Sequence, residues 1–450
     1  MAAIGVWIPR TWDLGIISIK KKHLFLSDKM IASKTTDVDS LKKQIAEMKN
    51  LVLSSINNIK FNNNNNNNNN SNNNNNNKNN NNQIIKKPVM TSPRDFLGVL
   101  LYLPNSIVHA RQFLALIFAS WKYLVDNEDE LFSGNDKEKR NSLDLLAFCH
   151  PNICKELEDV CTLVSNLKDI HATKEQRCWA VVQPFETEIK YTPLNSYIMF
   201  KRDDVAELPK KYKYILRTDA DVFLSPPLFV LKPHRFLFGQ GGYSDPFNME
   251  RLKMIAKKIG LTHRGVHHVG STMCGETNKF IEISLKAYNA TKYMFLNEFD
   301  PKLPGLETID FKKNIEGEWI RWWRPVSSMY GGELAVNDAL PDISLNNKGQ
   351  FDASSCSTES IWKTNHIHCW HNPCHFSKFE FDNFMHHLLN KGDKLSNQLT
   401  RELIKNTAFK DVRSMSIQEY SSYIAYNAVC LLYTSPSPRD ATLSRMPSSA

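Results

Sequence analysis

The interpretation of the whole chain depends on one segment, Tyr212-Lys-Tyr-Ile-Leu-Arg-Thr-Asp219-Ala-Asp221-Val-Phe-Leu-Ser-Pro226-Pro227. An apolar, strand-like run leads directly into two carboxylates that are separated by one small residue. Positions i and i+2 of an extended chain project to the same face. Both carboxylates can therefore reach one point beyond the carboxyl end of the strand, where open α/β sheets bind their ligands. Paired carboxylate oxygens suit a hard divalent cation, which can in turn bridge two phosphates.

The residues before this segment alternate between strand-like and helix-like patterns. Continuous apolar runs predict four buried strands, at Phe96–Leu103, Leu143–Cys149, Trp179–Val182 and Tyr212–Leu216. Helical spacing predicts a helix after Ser106, a second helix over 157–167 and a third over 194–200. This alternation is typical of a doubly wound α/β domain. No Gly-rich loop follows the first strand, which argues against dinucleotide-binding and P-loop folds.

The Asp219-Ala-Asp221 segment resembles the DxD motif of GT-A glycosyltransferases. The resemblance implies a GT-A-like, mostly parallel sheet flanked by helices, and a nucleotide-diphosphate sugar held through Mn²⁺ or Mg²⁺. It implies that Asp221 is a metal ligand and that Asp219 contacts the ribose or the metal. A solvated turn capped by Asp219 is the alternative. Haloacid-dehalogenase-type phosphatases also use such a pair, but after their first strand and with Thr or Val at the position of Phe223.

A cluster rich in histidine and cysteine lies downstream, from Asn365 to Phe379. Imidazole and thiolate at this spacing are compatible with zinc, although no second distant ligand pair accompanies them. The GT-A resemblance implies instead a late metal-binding histidine, His368 or His371, with Lys378 facing the diphosphate. Each histidine alone can equally be a packing residue beside its aromatic neighbours.

Further segments resemble the substrate-binding parts of these enzymes. Tyr330-Gly-Gly-Glu333 with Asp338 resembles a helix start that presents an acid to the acceptor. Glu333 or Asp338 is thus a candidate general base, although Glu333 at a first turn would also favour the helix macrodipole. The nucleotide-binding candidates are Asn105, Ser106 and Asn195.

The ends of the chain differ in composition from its middle. Residues 1–60 form an extension whose segment 41–59 has a heptad-like rhythm, which predicts a short amphipathic helix capable of weak self-association. Met30 is an alternative start, which would make residues 1–29 spurious. The asparagine tract within 61–87 predicts a disordered linker.

The folded domain is predicted to span 88–429. Residues 430–450 resemble a translated sequencing adapter and are expected to carry no fold information.

Composition excludes several classes of protein. The net charge of +9 is dispersed along the chain, which argues against nucleic-acid binding. No run of eighteen apolar residues predicts a transmembrane helix, and no signal peptide is evident. The compartment stays open between a secretory lumen, such as the Golgi, and the cytoplasm. Cys149, Cys154 and Cys161 would pair in the first and stay free in the second.

The resulting hypothesis is metal-dependent transfer of a sugar from a nucleotide-sugar donor to a hydroxyl of a glycan, protein or small-molecule acceptor. A catalytically silent GT-A-like module, or a zinc-binding interaction module, is the alternative.

Overall fold

The computed structural model describes residues 94–132, 136–171, 175–184, 186, 189–307, 309, 321–369, 376–391 and 411–430. The predicted N-terminal helix, the asparagine tract, His371 and the tail after Cys430 lie outside the described residues. Among the described helices, none combines the length and apolarity that crossing a bilayer requires.

One sheet contains seven strands of the described chain, which are β1 (Phe96–Leu103), β2 (Ser142–Cys149), β3 (Thr162–Val164), β4 (Cys178–Val182), β5 (Tyr214–Arg217), β7 (Leu237–Gln240) and β8 (Val269–Glu276). Their order in the sheet is β3-β4-β2-β1-β5-β8-β7. β8 runs opposite to the other six strands, so the sheet is mostly parallel. Nearly every residue of β1 and β2 is buried, as expected of parallel strands covered on both faces.

A second sheet of three short strands, β6 (Val222–Leu224), β10 (His366–His368) and β9 (Ala353–Ser354), follows the Asp219-Ala-Asp221 segment. β10 pairs antiparallel with β6, which places His368 opposite Val222. The backbone N–H of Cys369 donates to the Asp221 carbonyl at 3.1 Å. This pairing brings a segment from late in the chain beside the two carboxylates.

Helices cover both faces of the large sheet. α1 (Ile107–Gln112) continues through a π-helical segment, Phe113–Phe118, into α2 (Ala119–Asp126). The remaining helices are α3 (Glu128–Leu131), α4 (Pro151–Glu156), α5 (Asn195–Ile198), α6 (Leu208–Lys211), α7 (Pro246–Lys258), α8 (Thr277–Asn297), α9 (Ser327–Ala339), α10 (Lys378–Lys391) and α11 (Ile417–Cys430). Buried apolar side chains of the described residues form large clusters, one of which contains Trp322 stacked on Tyr330 with ring centroids 4.8 Å apart.

The predicted α/β class and mostly parallel sheet are confirmed, and each predicted strand is present within two residues of its expected bounds. The helix predicted over 157–167 is wrong. The helix there ends at Glu156, and Thr162–Val164 instead form an edge strand beside β4. A disulfide between Cys161 and Cys178 ties the start of this strand to the start of β4. The Asp219 pair consequently follows the fifth strand of the chain and not the fourth.

The Gly331-Gly332 pair does not open a helix, because α9 begins at Ser327. It lies in the second turn, where a Cβ on Gly331 would approach Thr291 Oγ1 of α8 to 2.1 Å. Gly331 therefore permits close packing of two helices. Cys149 and Cys154 form a second disulfide, and Cys356 is disulfide-bonded as well.

Candidate metal centre

The candidate site lies where the strand order of the large sheet reverses. β1 pairs with β2 on one side and with β5 on the other, so the carboxyl ends of β1 and β5 face the same crevice. β1 leads into Pro104-Asn105-Ser106, and β5 leads into Thr218-Asp219. Thr218 N–H donates to Leu100 O of β1 at 2.9 Å, which fixes the exit of β5 beside its neighbour. Open α/β sheets bind ligands at this topological position.

Asp219, Asp221 and His368 converge in this crevice. One ligand atom of each lies within 4.8 Å of the other two. His368 Nε2 is 3.6 Å from Asp221 Oδ1, and Ser271 Oγ of β8 donates to Asp219 Oδ2 at 2.6 Å. Two carboxylates and one imidazole form a set of ligands suitable for a divalent cation.

A buried carboxylate, Asp352, supports the histidine. His368 Nδ1 lies 3.5 Å from Asp352 Oδ1, which leaves Nε2 on the side of Asp221. A carboxylate behind the outer nitrogen of a ligating histidine is the usual support of metal-binding imidazoles. Asp352 also lies 3.2 Å from His366 Nδ1, and His366 Nε2 is 2.6 Å from Thr218 Oγ1. His366 therefore connects Asp352 to the residue directly before Asp219.

Two glycines make room for Asp352. A Cβ on Gly239 would lie 1.7 Å from Asp352 Oδ2, and a Cβ on Gly270 would lie 3.0 Å from the same atom. Thr272 Oγ1 donates to Asp352 Oδ1 at 2.7 Å, and Asp352 itself has a φ of 56°. A left-handed conformation is uncommon for residues other than glycine, although aspartate tolerates it better than most, and it persists where the surroundings fix it.

Two cations face Asp221 within the protein. Burial alone would raise the pKa of Asp221, but His368 and Lys378 hold it well below its usual range. Lys378 Nζ lies 2.5 Å from Asp221 Oδ2. Burial would lower the pKa values of His368 and Lys378, yet Asp221 raises both, with Asp352 also acting on His368. The crevice thus holds charges of both signs in close contact.

The helices α1 and α10 form one wall of the crevice. Ser106 is the N-cap residue of α1, and its Oγ lies 2.9 Å from His109 Nδ1. Loss of contact with solvent lowers the pKa of His109, whereas the negative charges of Asp221 and Asp219 act to raise it. One turn further along α1, Gln112 Nε2 donates to Asp382 Oδ2 of α10 at 3.1 Å. Burial raises the pKa of Asp382 to about 6.

A family model described as a domain of unknown function, DUF7164, matches residues 91–435. The chain belongs to the DUF7164 family. No curated protein matches it. The solved structures that it resembles include the apo form of WbbM, a bifunctional glycosyltransferase, with 8% identity and a TM-score of 0.30. That match covers 64% of this chain and 47% of the other, so the chain spans less than half the length of that protein, and a likeness at this level supports no functional argument.

In this DUF7164 domain, Asn105 is exposed between β1 and α1, and Ser106 is half-buried beside it. Asn195 is buried in α5, where its side chain hydrogen-bonds to Tyr102 near the end of β1. Tyr102 in turn donates to Glu186 Oε1 at 2.5 Å. The predicted nucleotide-binding residues therefore lie along the carboxyl end of β1, on the side of the crevice away from β8.

The predicted catalytic acids lie on α9 with partners of their own. Glu333 is 2% exposed and faces His263 and His267. It stands in the second turn, so the first-turn macrodipole interpretation is wrong. Asp338 forms an ion pair with Lys286 Nζ at 2.6 Å. Although burial would raise the pKa of Asp338, Lys286 lowers it. A general-base role for either acid stays a prediction.

Sequence reasoning missed several members of the site, which are Ser271, Asp352, His366, His109 and Asp382. No sequence pattern around Ser271 points to Asp219. His366 belongs to the Asn365–Phe379 cluster, and the packing alternative for its histidines agrees with the complete burial of His366. No sequence signal marks Asp352 or Asp382.

Proposed function

We propose that this domain transfers a sugar from a nucleotide-diphosphate sugar to an acceptor hydroxyl, with a divalent cation at Asp219, Asp221 and His368. The observation that carries the proposal is the convergence of these three side chains at the carboxyl ends of β1 and β5. The DxD resemblance supplies the reaction class. One imidazole among the ligands favours Mn²⁺ over Mg²⁺, whose sites are built from oxygen.

The residues around the three metal ligands have different roles in the proposed site. Ser271 and His366 orient the Asp219 segment, and Asp352 orients His368. Asn105 and Ser106 lie at the end of β1, where they would contact the nucleotide. When bound, the cation would supply positive charge against the departing nucleoside diphosphate. The acceptor hydroxyl would then attack the anomeric carbon of the sugar.

Lys378 has a role that depends on the donor. In the absence of substrate its ammonium neutralises Asp221. A cation at Asp221 would repel this ammonium, and a diphosphate would attract it. We therefore expect Lys378 to exchange Asp221 for phosphate oxygens when the donor binds, which agrees with the role that the GT-A resemblance implies.

A catalytically silent module is the second candidate, and one observation favours it. Asp221 already has two cationic partners, His368 and Lys378, so its charge is compensated without any added cation. A folded chain that binds neither nucleotide nor divalent cation would support this candidate.

Titration calorimetry of the full chain with UDP and with GDP, each with and without Mn²⁺, tests the proposal. The chain is compared with Asp221→Asn and with the matched control Asp129→Asn, whose carboxylate is 70% exposed and lies near the start of β2. We expect binding that requires Mn²⁺, weakens at least about 100-fold in Asp221→Asn and is unchanged in Asp129→Asn. Binding that is independent of the metal, or equal in both variants, would contradict the proposal.

A further inference from the structure

A second group of ligand-type side chains lies outside the crevice. The loop between α7 and β8 carries His263 and His267, and α9 supplies Glu333. One ligand atom of each lies within 4.8 Å of the other two. Their side chains are only 2%, 9% and 2% exposed, respectively. Among the described residues, this group and the Asp219 group are the two that bring three such side chains together.

The two imidazoles meet one oxygen of the carboxylate. His267 Nδ1 lies 2.7 Å and His263 Nε2 lies 3.4 Å from Glu333 Oε1. The ligand atoms of a tetrahedral zinc ion lie about 3.4 Å apart, given bond lengths near 2.1 Å. The distance from His263 Nε2 to Glu333 Oε1 already has this value, and the distance from His267 Nδ1 to the same oxygen has to increase slightly.

The other carboxylate oxygen is held by the protein. Ser244 Oγ donates to Glu333 Oε2 at 3.2 Å, and Val269 N–H approaches the same atom at 3.5 Å. Glu333 Oε1 is thereby directed at the two imidazoles. Donors that hold one oxygen of a carboxylate while the other oxygen faces the metal are a common outer shell of metal sites.

The loop itself is fixed in place. Asn337, fully buried on α9, accepts hydrogen bonds from Arg264 N–H and Val266 N–H and donates to Val266 O at 2.7 Å. Thr262 N–H donates to Asp338 at 3.0 Å. The two histidines are therefore brought to Glu333 by contacts that do not involve their own rings, as a preformed metal site requires.

One hydrogen bond must be given up for a metal to bind. Gly265 N–H donates to His263 Nδ1 at 3.0 Å, whereas ligation through Nε2 needs the hydrogen on Nδ1. Gly265 is exposed, has a φ of 81° and has no neighbouring atoms where a Cβ would stand. A glycine at this exposed position has wide backbone freedom, which allows its N–H to turn away from His263.

We propose that His263, His267 and Glu333 bind one Zn²⁺ ion at a site separate from the Asp219 centre. Two imidazoles and one carboxylate are a ligand set typical of zinc, and water completes the tetrahedron. The ion would join α9 to the loop that enters β8. Because Ser271 follows Val269 by two residues on β8, the site would also steady the strand that holds Asp219. This inference does not depend on the proposed glycosyl transfer.

Zinc titration of the full chain, stripped of metal and in competition with a chromophoric chelator, tests the inference. Because the Asp219 centre can itself bind Zn²⁺, the titration is made in the Asp221→Asn background. There we expect one tightly bound Zn²⁺, weakened at least about 100-fold when Glu333→Gln or His267→Asn is added. The exposed-histidine control His234→Gln, added in the same background, should retain it. Tight zinc that survives loss of Glu333, or no tight zinc in the Asp221→Asn chain, would each overturn the proposal.

A measurement on the unmodified chain covers the case in which the Glu333 and His267 variants do not fold. Co²⁺ in place of Zn²⁺ gives intense visible d–d absorption when four-coordinate. We expect this absorption at one equivalent of Co²⁺, abolished by one equivalent of Zn²⁺ and unaffected by excess Mg²⁺. Weak, octahedral-type absorption at one equivalent would overturn the proposal.

Discussion

Ser271 Oγ donates a hydrogen bond of 2.6 Å to Asp219 Oδ2, and the carbonyl of Ser271 accepts one from Arg217 Nη1 at 2.6 Å. A single residue of β8 thus contacts the last residue of β5 and the first carboxylate beyond it. The antiparallel pairing of β8 with β5 puts Ser271 in this position. The antiparallel strand β8 therefore orients a ligand of the proposed metal centre.

Replacement of Ser271 by alanine should weaken the cation site without unfolding the chain. Asp219 keeps its backbone position but loses the donor that orients its carboxylate. We expect Mn²⁺ affinity to fall about 10-fold, measured by titration calorimetry, with a small change in stability. Ser414→Ala, at an exposed position on a 3₁₀ turn, is the matched control. Equal Mn²⁺ affinities in Ser271→Ala and Ser414→Ala would show that Ser271 does not contribute to the cation site.

Two glycine-to-alanine substitutions test whether Asp352 needs the space that Gly239 leaves open. In Gly239→Ala the new methyl would overlap Asp352 Oδ2, whereas Gly242→Ala meets no atom within 4 Å. We expect Gly239→Ala to lose about 2 kcal/mol of unfolding free energy in a denaturant titration and to weaken Mn²⁺ binding. Gly242→Ala should stay within about 0.5 kcal/mol of the unmodified chain. A Gly239→Ala chain with full stability and affinity would show that Asp352 is not held as the structure indicates.

Asp382 should make stability depend on pH in an unusual direction. Burial raises its pKa from 3.8 to about 6, against the opposing effects of Gln112 and Arg111. A raised pKa means that this side chain favours the folded state below pH 3.8 and that the benefit is lost as the pH rises through 6. Relative to Asp382→Asn, the free energy of unfolding of the unmodified chain should fall by up to about 3 kcal/mol between pH 4 and pH 7.

Denaturant unfolding at several pH values between 4 and 7 measures this difference. Asp411→Asn is a suitable control, because Arg413 lowers the pKa of Asp411 and the carboxylate is exposed. The difference in free energy of unfolding between the unmodified chain and Asp411→Asn should not fall as the pH rises. If the difference in free energy of unfolding between the unmodified chain and Asp382→Asn does not change with pH, the pKa of Asp382 is not raised in the folded protein.

The two described disulfides should contribute to stability according to the loops they close. Cys161–Cys178 closes 17 residues and Cys149–Cys154 closes 5. The chain-entropy model gives about 3 kcal/mol for the longer loop and about 2 kcal/mol for the shorter. Thermal unfolding of the Cys161→Ala/Cys178→Ala and Cys149→Ala/Cys154→Ala double variants checks the order. A larger loss for the shorter loop would indicate that packing at Cys149 and Cys154, and not loop closure, dominates.

Most of the fold was predictable because buried parallel strands are continuous apolar runs. Leu97–Leu103 and Leu143–Cys149 have no polar residue except Asp144, so periodicity identifies them directly. The edge strand Thr162–Val164 was not predictable in this way. It is three residues long and two of them are exposed, so its apolar pattern fits a helix equally well. Pairing with β4 decides its conformation.

The candidate site was predictable where its residues follow an apolar strand, and at His368 and Lys378 through the GT-A resemblance. Asp219 and Asp221 were identified because an apolar strand leads directly into them. Asp352 belongs to the same site through its contacts with His366, His368 and the distant Thr272, and its left-handed backbone has no sequence signature. Glu333 was singled out from its Gly-Gly context, but Gly331 serves the packing of α9 on α8 and Gly332 faces Met273 and Tyr197.

The most direct test of the central claim is electron paramagnetic resonance of Mn²⁺ bound to the full chain, with detection of nitrogen coupling. The account predicts one bound Mn²⁺ with a single imidazole nitrogen ligand. That coupling should disappear in His368→Gln, and binding should be lost in Asp221→Asn. Mn²⁺ that stays free in solution, or a nitrogen coupling that persists in His368→Gln, would contradict the assignment of Asp219, Asp221 and His368 as a metal centre.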